Sequence, residues 1–186
     1  YFGATLSAYD DLTVENNSKY EYILPYLTFN KNLFVDEKYG VMDLASNFRV
    51  RNYDVNKQTE LFVNDFEWQS NKWNSYYGIQ NQLKTLFKTV NYEAKNADNY
   101  KTDDLNSEIS AAFGYLANLS FYKNDEMAKN NHLIKPKLMI RYAPGHMRKL
   151  NTGSPLKYSN LFNFNKTQDI DVIETGLSTA LGFEYK

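Results

Sequence analysis

The sequence contains no cysteine, so it holds no disulfide and no thiolate ligand or nucleophile. Histidine is nearly absent too: His132 and His146 stand apart, with no HExxH and no Gly-x-Ser-x-Gly around them. No catalytic residue, metal site or cofactor site is expected, and the chain does not read as an enzyme. A net charge of −1 lacks the basic footprint of a nucleic-acid binder. No apolar run approaches the ~20 residues of a membrane helix, and mean hydropathy is −0.62. No signal-peptide pattern is present. The chain opens at Tyr1 in a strand-like pattern and stops at Lys186 directly after one, so both ends look cut from something longer. Proline is scarce, at four residues. Aromatic residues are not: 16 Tyr, 12 Phe and 2 Trp accompany abundant Asn. That mixture suits strands with one apolar and one wet face, joined by polar loops.

The clearest pattern is Asp171 to Lys186. Ile173, Thr175, Leu177, Thr179, Leu181, Phe183 and Tyr185 alternate with Glu174, Gly176, Ser178, Ala180, Gly182 and Glu184. Period-two alternation predicts a strand between two environments. A helix would gather Ile173, Leu177, Ala180 and Leu181, but Phe183 and Tyr185 would leave that face. Gly176 and Gly182 would each cost it about 1 kcal/mol relative to Ala. The predicted strand is long for a soluble one, which usually has about five or six residues. It is long enough to cross a bilayer, which takes about 9–11 tilted residues.

The alternation recurs along the chain. Residues 2–9 show it, and so do Tyr20 to Leu27, where Pro25 implies a bulge or an unpaired edge. Asn30 to Lys38 reads as a loop. Val41 to Arg51 sets Met42, Leu44, Phe48 and Val50 against Asp43, Asn47, Arg49 and Arg51, which no helix explains. Glu60 to Trp68 alternates, though Leu61 and Val63 blur the pattern. Tyr77 to Thr89 follows, and Lys95 to Asp104 reads as a charged loop. Leu105 to Tyr122 reads as the longest strand. A helical alternative exists there, capped by Asp104 and lined by Leu105, Ile109, Ala112, Phe113 and Leu116. Lys123 to His132 reads as loop, Ile134 to Tyr142 as strand, and Ala143 to Asn160 as the longest loop. Leu161, Phe162 and Phe164 form a brief apolar patch.

About eight strands joined by polar turns predict an all-β, antiparallel up-and-down sheet in a single segment spanning 1–186. Aromatics near strand ends (Tyr39, Trp68, Trp73, Tyr77, Tyr122, Tyr142 and Tyr185) are placed as interfacial girdles would be. The sheet is therefore expected to be part of a transmembrane outer-membrane β-barrel. A soluble β-sandwich or β-solenoid with one wet face is the competing reading.

Three places carry a resemblance to a known family. The first is Glu21-Tyr22-Ile23-Leu24-Pro25-Tyr26-Leu27-Thr28-Phe29, followed by Tyr39-Gly40. The second is Arg51-Asn52-Tyr53-Asp54-Val55-Asn56-Lys57, with Asn91-Tyr92-Glu93-Ala94 after a long strand pair. The third is Leu133-Ile134-Lys135-Pro136-Lys137 with Tyr142-Ala143-Pro144. Leu161-Phe162-Asn163-Phe164-Asn165, Asp169-Ile170-Asp171 and Glu174-Thr175-Gly176 follow in order. Together they resemble the outer-membrane lipopolysaccharide-assembly protein LptD family, also called organic-solvent-tolerance protein OstA. The chain departs from the family at Gln168, where a glycine is common, and at Val172, where a basic residue is common. The resemblance implies transport: a large barrel in the Gram-negative outer membrane, plugged by the lipoprotein LptE. Such a barrel receives lipopolysaccharide from periplasmic bridge components and releases it toward outer-membrane lipid. These residues would supply barrel wall.

The polar faces name the lumen-facing candidates: Asp43, Asn47, Arg49, Arg51, Gln80, Gln82, Lys84, Lys88, Glu108, Lys137, Arg141 and Glu174. They line a wet interior, and Arg49, Arg51, Lys84 and Lys88 are the cations best suited to a phosphorylated saccharide or the plug. Asp169 and Asp171 lack the rest of a calcium loop and read as loop caps. The second functional class is a soluble β-domain that binds carbohydrate or a protein partner. Circular dichroism separates the two classes. A barrel wall aggregates in plain buffer and recovers β signal in detergent micelles, whereas a cooperatively melting β monomer in buffer would sink the barrel reading.

Overall fold

The computed structural model describes residues 1–10, 20–53, 56–97, 100, 104–125, 130–145, 157, 159–167 and 169–186. Among them are ten strands and no helix. The strands are β1 (Phe2–Asp10), β2 (Tyr20–Asp36), β3 (Gly40–Tyr53), β4 (Lys57–Gln69), β5 (Trp73–Asn74), β6 (Gln80–Lys95), β7 (Asn106–Asn118), β8 (Phe121–Asp125), β9 (Asn130–Ala143) and β10 (Gly176–Tyr185). All belong to one antiparallel sheet. Its path runs β1-β2-β3-β4-β6-β7-β9-β10, with β5 paired to β6 and β8 paired to β9. This is the expected meander, and the sheet is open: β1 and β10 are its two edges.

Alternation fixes which side chains share a face, and pairing carries that choice from strand to strand. Arg49 stands opposite Leu61, Leu61 opposite Tyr92, and Tyr92 opposite Asn106. Gly114 pairs with Arg141, and Arg141 with Ser178. These residues define the inner face. The outer face carries Phe48, Phe62, Phe87, Ile109, Phe113, Ile140, Tyr142, Leu177, Leu181 and Phe183, most of them exposed. The sheet therefore presents its large apolar side chains outward.

The strands are also staggered in one direction. A single row across the sheet runs Phe34, Met42, Trp68, Thr85, Phe113, Tyr142, Leu177. The second residue of β10 is thus level with the third-from-last residue of β2. Cumulative stagger of this kind accompanies strand tilt in closed barrels.

Several boundaries differ from the sequence expectation. Asn30 to Lys38 is not a loop: β2 continues to Asp36, because β3 supplies its ladder partners and Asn32 bonds Asp43 at 2.5 Å. The register slips between Ile23 and Tyr26, which is the bulge expected around Pro25. Leu105 to Tyr122 is not one strand: β7 ends at Asn118 and β8 begins at Phe121, forming a hairpin with the start of β9. Of the stretch Lys123 to His132, the described residues 123–125 and 130–132 lie in β8 and β9, with His132 in β9. The helical alternative for the stretch does not occur. Ala112 lies on the inner face and Ile109 and Phe113 on the outer, as a strand requires.

The last strand is also shorter than its alternation implied. It begins at Gly176, whose φ of +101° lets the chain turn out of the preceding segment. Ile173 does not join Leu177 on the outer face but is buried on the inner side.

The connections sort by end. At one end lie the 37–39 turn, the 70–79 connection containing β5, and the β7–β8–β9 links. At the other, β1, β3, β6 and β9 end and β2, β4, β7 and β10 begin, and the stretches of sequence between them include the longest. Tyr39, Trp68, Trp73, Tyr77, Tyr122 and Tyr185 gather at the first end, where Trp68 Nε1 donates to the Tyr39 carbonyl at 2.8 Å. Tyr142 lies at the opposite end of β9.

Candidate functional site

Eleven of the twelve polar candidates share the inner face: Asp43, Asn47, Arg49 and Arg51 on β3, Gln80, Gln82, Lys84 and Lys88 on β6, Glu108 on β7, and Lys137 and Arg141 on β9. Glu174 precedes β10 rather than lying within it, yet it sits on the same side, 3.8 Å from Lys166. His146 lies outside the described residues. Among the described residues no group of three His, Asp or Glu could hold a metal.

The inner face is not uniformly polar. Leu61, Val63, Leu86, Val90, Tyr92 and Ala112 form a buried apolar strip with Ala143 and Ile173. What buries them is the described part of the 159–175 segment, helped by Tyr100. Phe164 and Ile170 pack against the strip, as does Tyr100, whose ring lies 5.0 Å from that of Tyr92. The segment holds its own shape through Asn165. The Asn165 carboxamide donates to the Val172 carbonyl at 3.4 Å and accepts from the Glu174 amide at 3.2 Å.

Small residues on the sheet admit the segment's aromatics. A Cβ on Gly114 would run into the Phe164 ring, and one on Gly182 would approach Phe162 at 3.2 Å. Each phenylalanine also faces a cation of β9. Lys137 lies 5.8 Å from the Phe162 ring centroid and Arg141 lies 5.6 Å from that of Phe164. The two modules repeat: a glycine floor, a phenylalanine two residues from the next, and a cation four residues from the next on the same strand face. Cation–π attraction is worth most where water is excluded.

Charge ties the segment down at one further point. The Lys88 side chain is 2% exposed. Its ammonium lies 2.7 Å from Asp65 Oδ1, and it donates to Asp65 Oδ2 at 2.9 Å and to the Ile170 carbonyl at 2.6 Å. Two oxygens, Asp65 Oδ2 and the Ile170 carbonyl, accept from it, and Asp65 Oδ1 adds an ion-pair contact. Lys88 is therefore an internal anchor, not a cation presented to a ligand. Arg51 is likewise engaged, its Nε donating to Glu21 at 2.6 Å, and Lys137 pairs with Glu184. Glu108 accepts from Tyr92 Oη at 3.2 Å. Asp171 is buried and accepts from Tyr100 Oη at 3.3 Å, whereas Asp169 is exposed. Asp171 thus helps fasten the segment down.

One cation is different. Arg141 is 1% exposed, and none of its three guanidinium nitrogens has a hydrogen-bond partner among the described residues. Its company is the Phe164 ring, with Glu174 the acid whose field reaches it.

The covered strip was the part least visible in the sequence. Its one signal was the break in alternation at Leu61 and Val63, matched by the apolar patch Leu161, Phe162 and Phe164.

No protein-family model matches the chain, and no curated protein matches its sequence.

Replacing Lys88 by Met strands the Asp65 carboxylate and is expected to cost about 3–5 kcal/mol, the usual loss when half of a buried ion pair is removed. A Lys88→Met, Asp65→Asn double variant should lose less. Denaturant unfolding of the three proteins checks this, and equal losses would show that the pair does not couple.

Proposed function

We propose that this chain is wall of an outer-membrane β-barrel whose wet interior handles lipopolysaccharide. The observation that carries the barrel reading is the outer face. Its large apolar side chains point away from the covered side, with Phe113 55% and Leu181 75% exposed. A monomeric soluble domain rarely leaves an apolar surface of this extent in water. In a bilayer the same surface is buried, and only closed sheets satisfy the backbone there. The one-directional stagger supports the reading, since barrel strands tilt by about 35–45°. So does the gathering of Tyr and Trp at one end, as at a membrane interface. The longer connections at the opposite end then face outside the cell.

Lipopolysaccharide enters from the family resemblance and from the chemistry of the inner face. Arg49 and Lys84 lie on that face, where a phosphorylated saccharide would pass. The lipoprotein plug and the periplasmic bridge are partners on the same ground. The soluble binding domain rests on no comparable observation, because the face that buries apolar residues is the inner one.

Two experiments test the two halves. Phe113→Lys places a charge mid-strand on the outer face. Folding into lipid vesicles should weaken by about 2–4 kcal/mol if that face meets the bilayer core, and a change within about 0.5 kcal/mol, normal for a water-exposed site, would refute it. For the cargo, Arg49→Glu with Lys84→Glu in the full-length protein should reduce surface display of lipopolysaccharide at unchanged barrel level. Normal display would remove lipopolysaccharide from the reading and leave the barrel standing.

A further inference from the structure

Among the described residues, Arg141 is the fully buried cation of the covered face whose donors are left over. A guanidinium carries five N–H groups and cannot lose its charge. Buried cations are normally paired and hydrogen-bonded, because an uncompensated one is very costly. Lys88, buried to the same degree, follows that rule with Asp65 and Ile170. Arg141 does not. The Phe164 ring meets its charge at 5.6 Å, but a ring face accepts none of the in-plane N–H bonds. Glu174 is the acid whose field reaches it, but it makes no hydrogen bond to the guanidinium and lies 3.8 Å from Lys166. The edge of the guanidinium is therefore uncommitted while Phe164 lies over it.

We propose that Arg141 is an oxyanion subsite for a phosphate group, and that Phe164 with the 159–175 segment is the cover a phosphate displaces. The fork of a guanidinium matches two phosphate oxygens, so the ligand supplies what the ring cannot. Ser178, opposite Arg141 in the β9–β10 ladder and on the same face, adds a hydroxyl donor. Gly114 beneath the ring keeps a floor without side-chain bulk, so removing Phe164 opens space directly beside the guanidinium. The cover is tied to the sheet through the Lys88–Ile170 contact, the Tyr100–Asp171 contact and aromatic packing. Lifting its Phe164 end leaves the Lys88 anchor in place. The inference rests on the reading of this face as the wet interior.

The test uses the protein in detergent micelles, titrated with inorganic phosphate, glucosamine 6-phosphate and glucosamine. The chain has no cysteine, so Asn163→Cys gives a single site for a spin label on the exposed part of the cover. Phosphate and the sugar phosphate are expected to bind and to loosen the label, and glucosamine to do neither. Equal affinities assign the site to phosphate alone, and tighter sugar phosphate adds the saccharide; both support the subsite. Arg141→Gln is expected to weaken binding at least about tenfold, the loss of one charged hydrogen bond. If that variant does not fold, Arg141→Lys decides, since it keeps the charge but not the fork. Absence of phosphate binding by the folded protein, or unchanged binding in the folded variant, overturns the proposal. Binding by a protein that needs no detergent would overturn the barrel reading and leave the subsite. A detergent-dependent protein indifferent to phosphate would do the reverse.

Discussion

The unbroken antiparallel register from β3 through β6 to β7 is the constraint on which the rest depends. Side chains alternate with period two, so one slipped residue would exchange the faces of every strand beyond it. The pairs Asp65–Lys88 and Val63–Val90 show what the register protects. The first supplies an ion pair buried beneath the 159–175 segment, and the second supplies the apolar strip beside it. Moved by one position, both would turn outward, and Phe62 and Phe87 would turn in. Neither the covered face nor the apolar face could survive that exchange. Exposed bulges are confined to β1 and β2, away from this block.

The covered face joins two kinds of stabilisation that usually occupy different places. Leu61, Val63, Leu86 and Val90 bury apolar area as in any core, while Lys88, Glu108 and Arg141 bury charge beside them. Lys88 and Glu108 are satisfied by specific oxygens and hydroxyls, so their burial fixes where the segment can sit. Arg141 is held by a ring alone, so its burial fixes less. The segment is accordingly anchored by a hydrogen bond at its Ile170 end and by ring packing at its Phe164 end. That asymmetry is a property of the partners, not of length: both ends lie on the same sheet.

Most of the fold was legible because alternation is a local signal. The even–odd division of Val41 to Arg51, and of Tyr77 to Thr89 from Gln80 onward, assigned faces that the ladder preserves. What escaped was decided by distant partners. Asn30 to Lys38 is polar enough to read as loop, and only pairing with β3 makes it strand. Asp171 to Thr175 alternates as well as the strand after it, yet Ile173 joins the buried apolar cluster of the inner face. The interruption at Leu61 and Val63 was noticeable, but a single chain position does not say what covers it. The isolation of Arg141 depends on the absence of a partner, which no local pattern encodes. Eleven of the polar candidates share one face of the sheet, while their division into anchors such as Lys88 and uncommitted groups such as Arg141 needed three-dimensional placement.

The open edges bear on the membrane reading in a specific way. β1 and β10 each present backbone groups that the sheet leaves without a ladder partner. In water such edges invite pairing with other chains. In hydrocarbon they are more costly, because no solvent molecule can replace the missing bond. A wall with this outer face can therefore enter a bilayer only when both edges are paired. The stagger restricts how: the row through Phe34 reaches β10 at Leu177, near its start, so the edges are displaced along the strand direction. On the proposed barrel reading, any strands that paired with these edges would have to continue that displacement. A flat, unstaggered partner would leave part of each edge bare in the apolar layer. The same displacement that tilts the strands thus sets the condition for closing the wall.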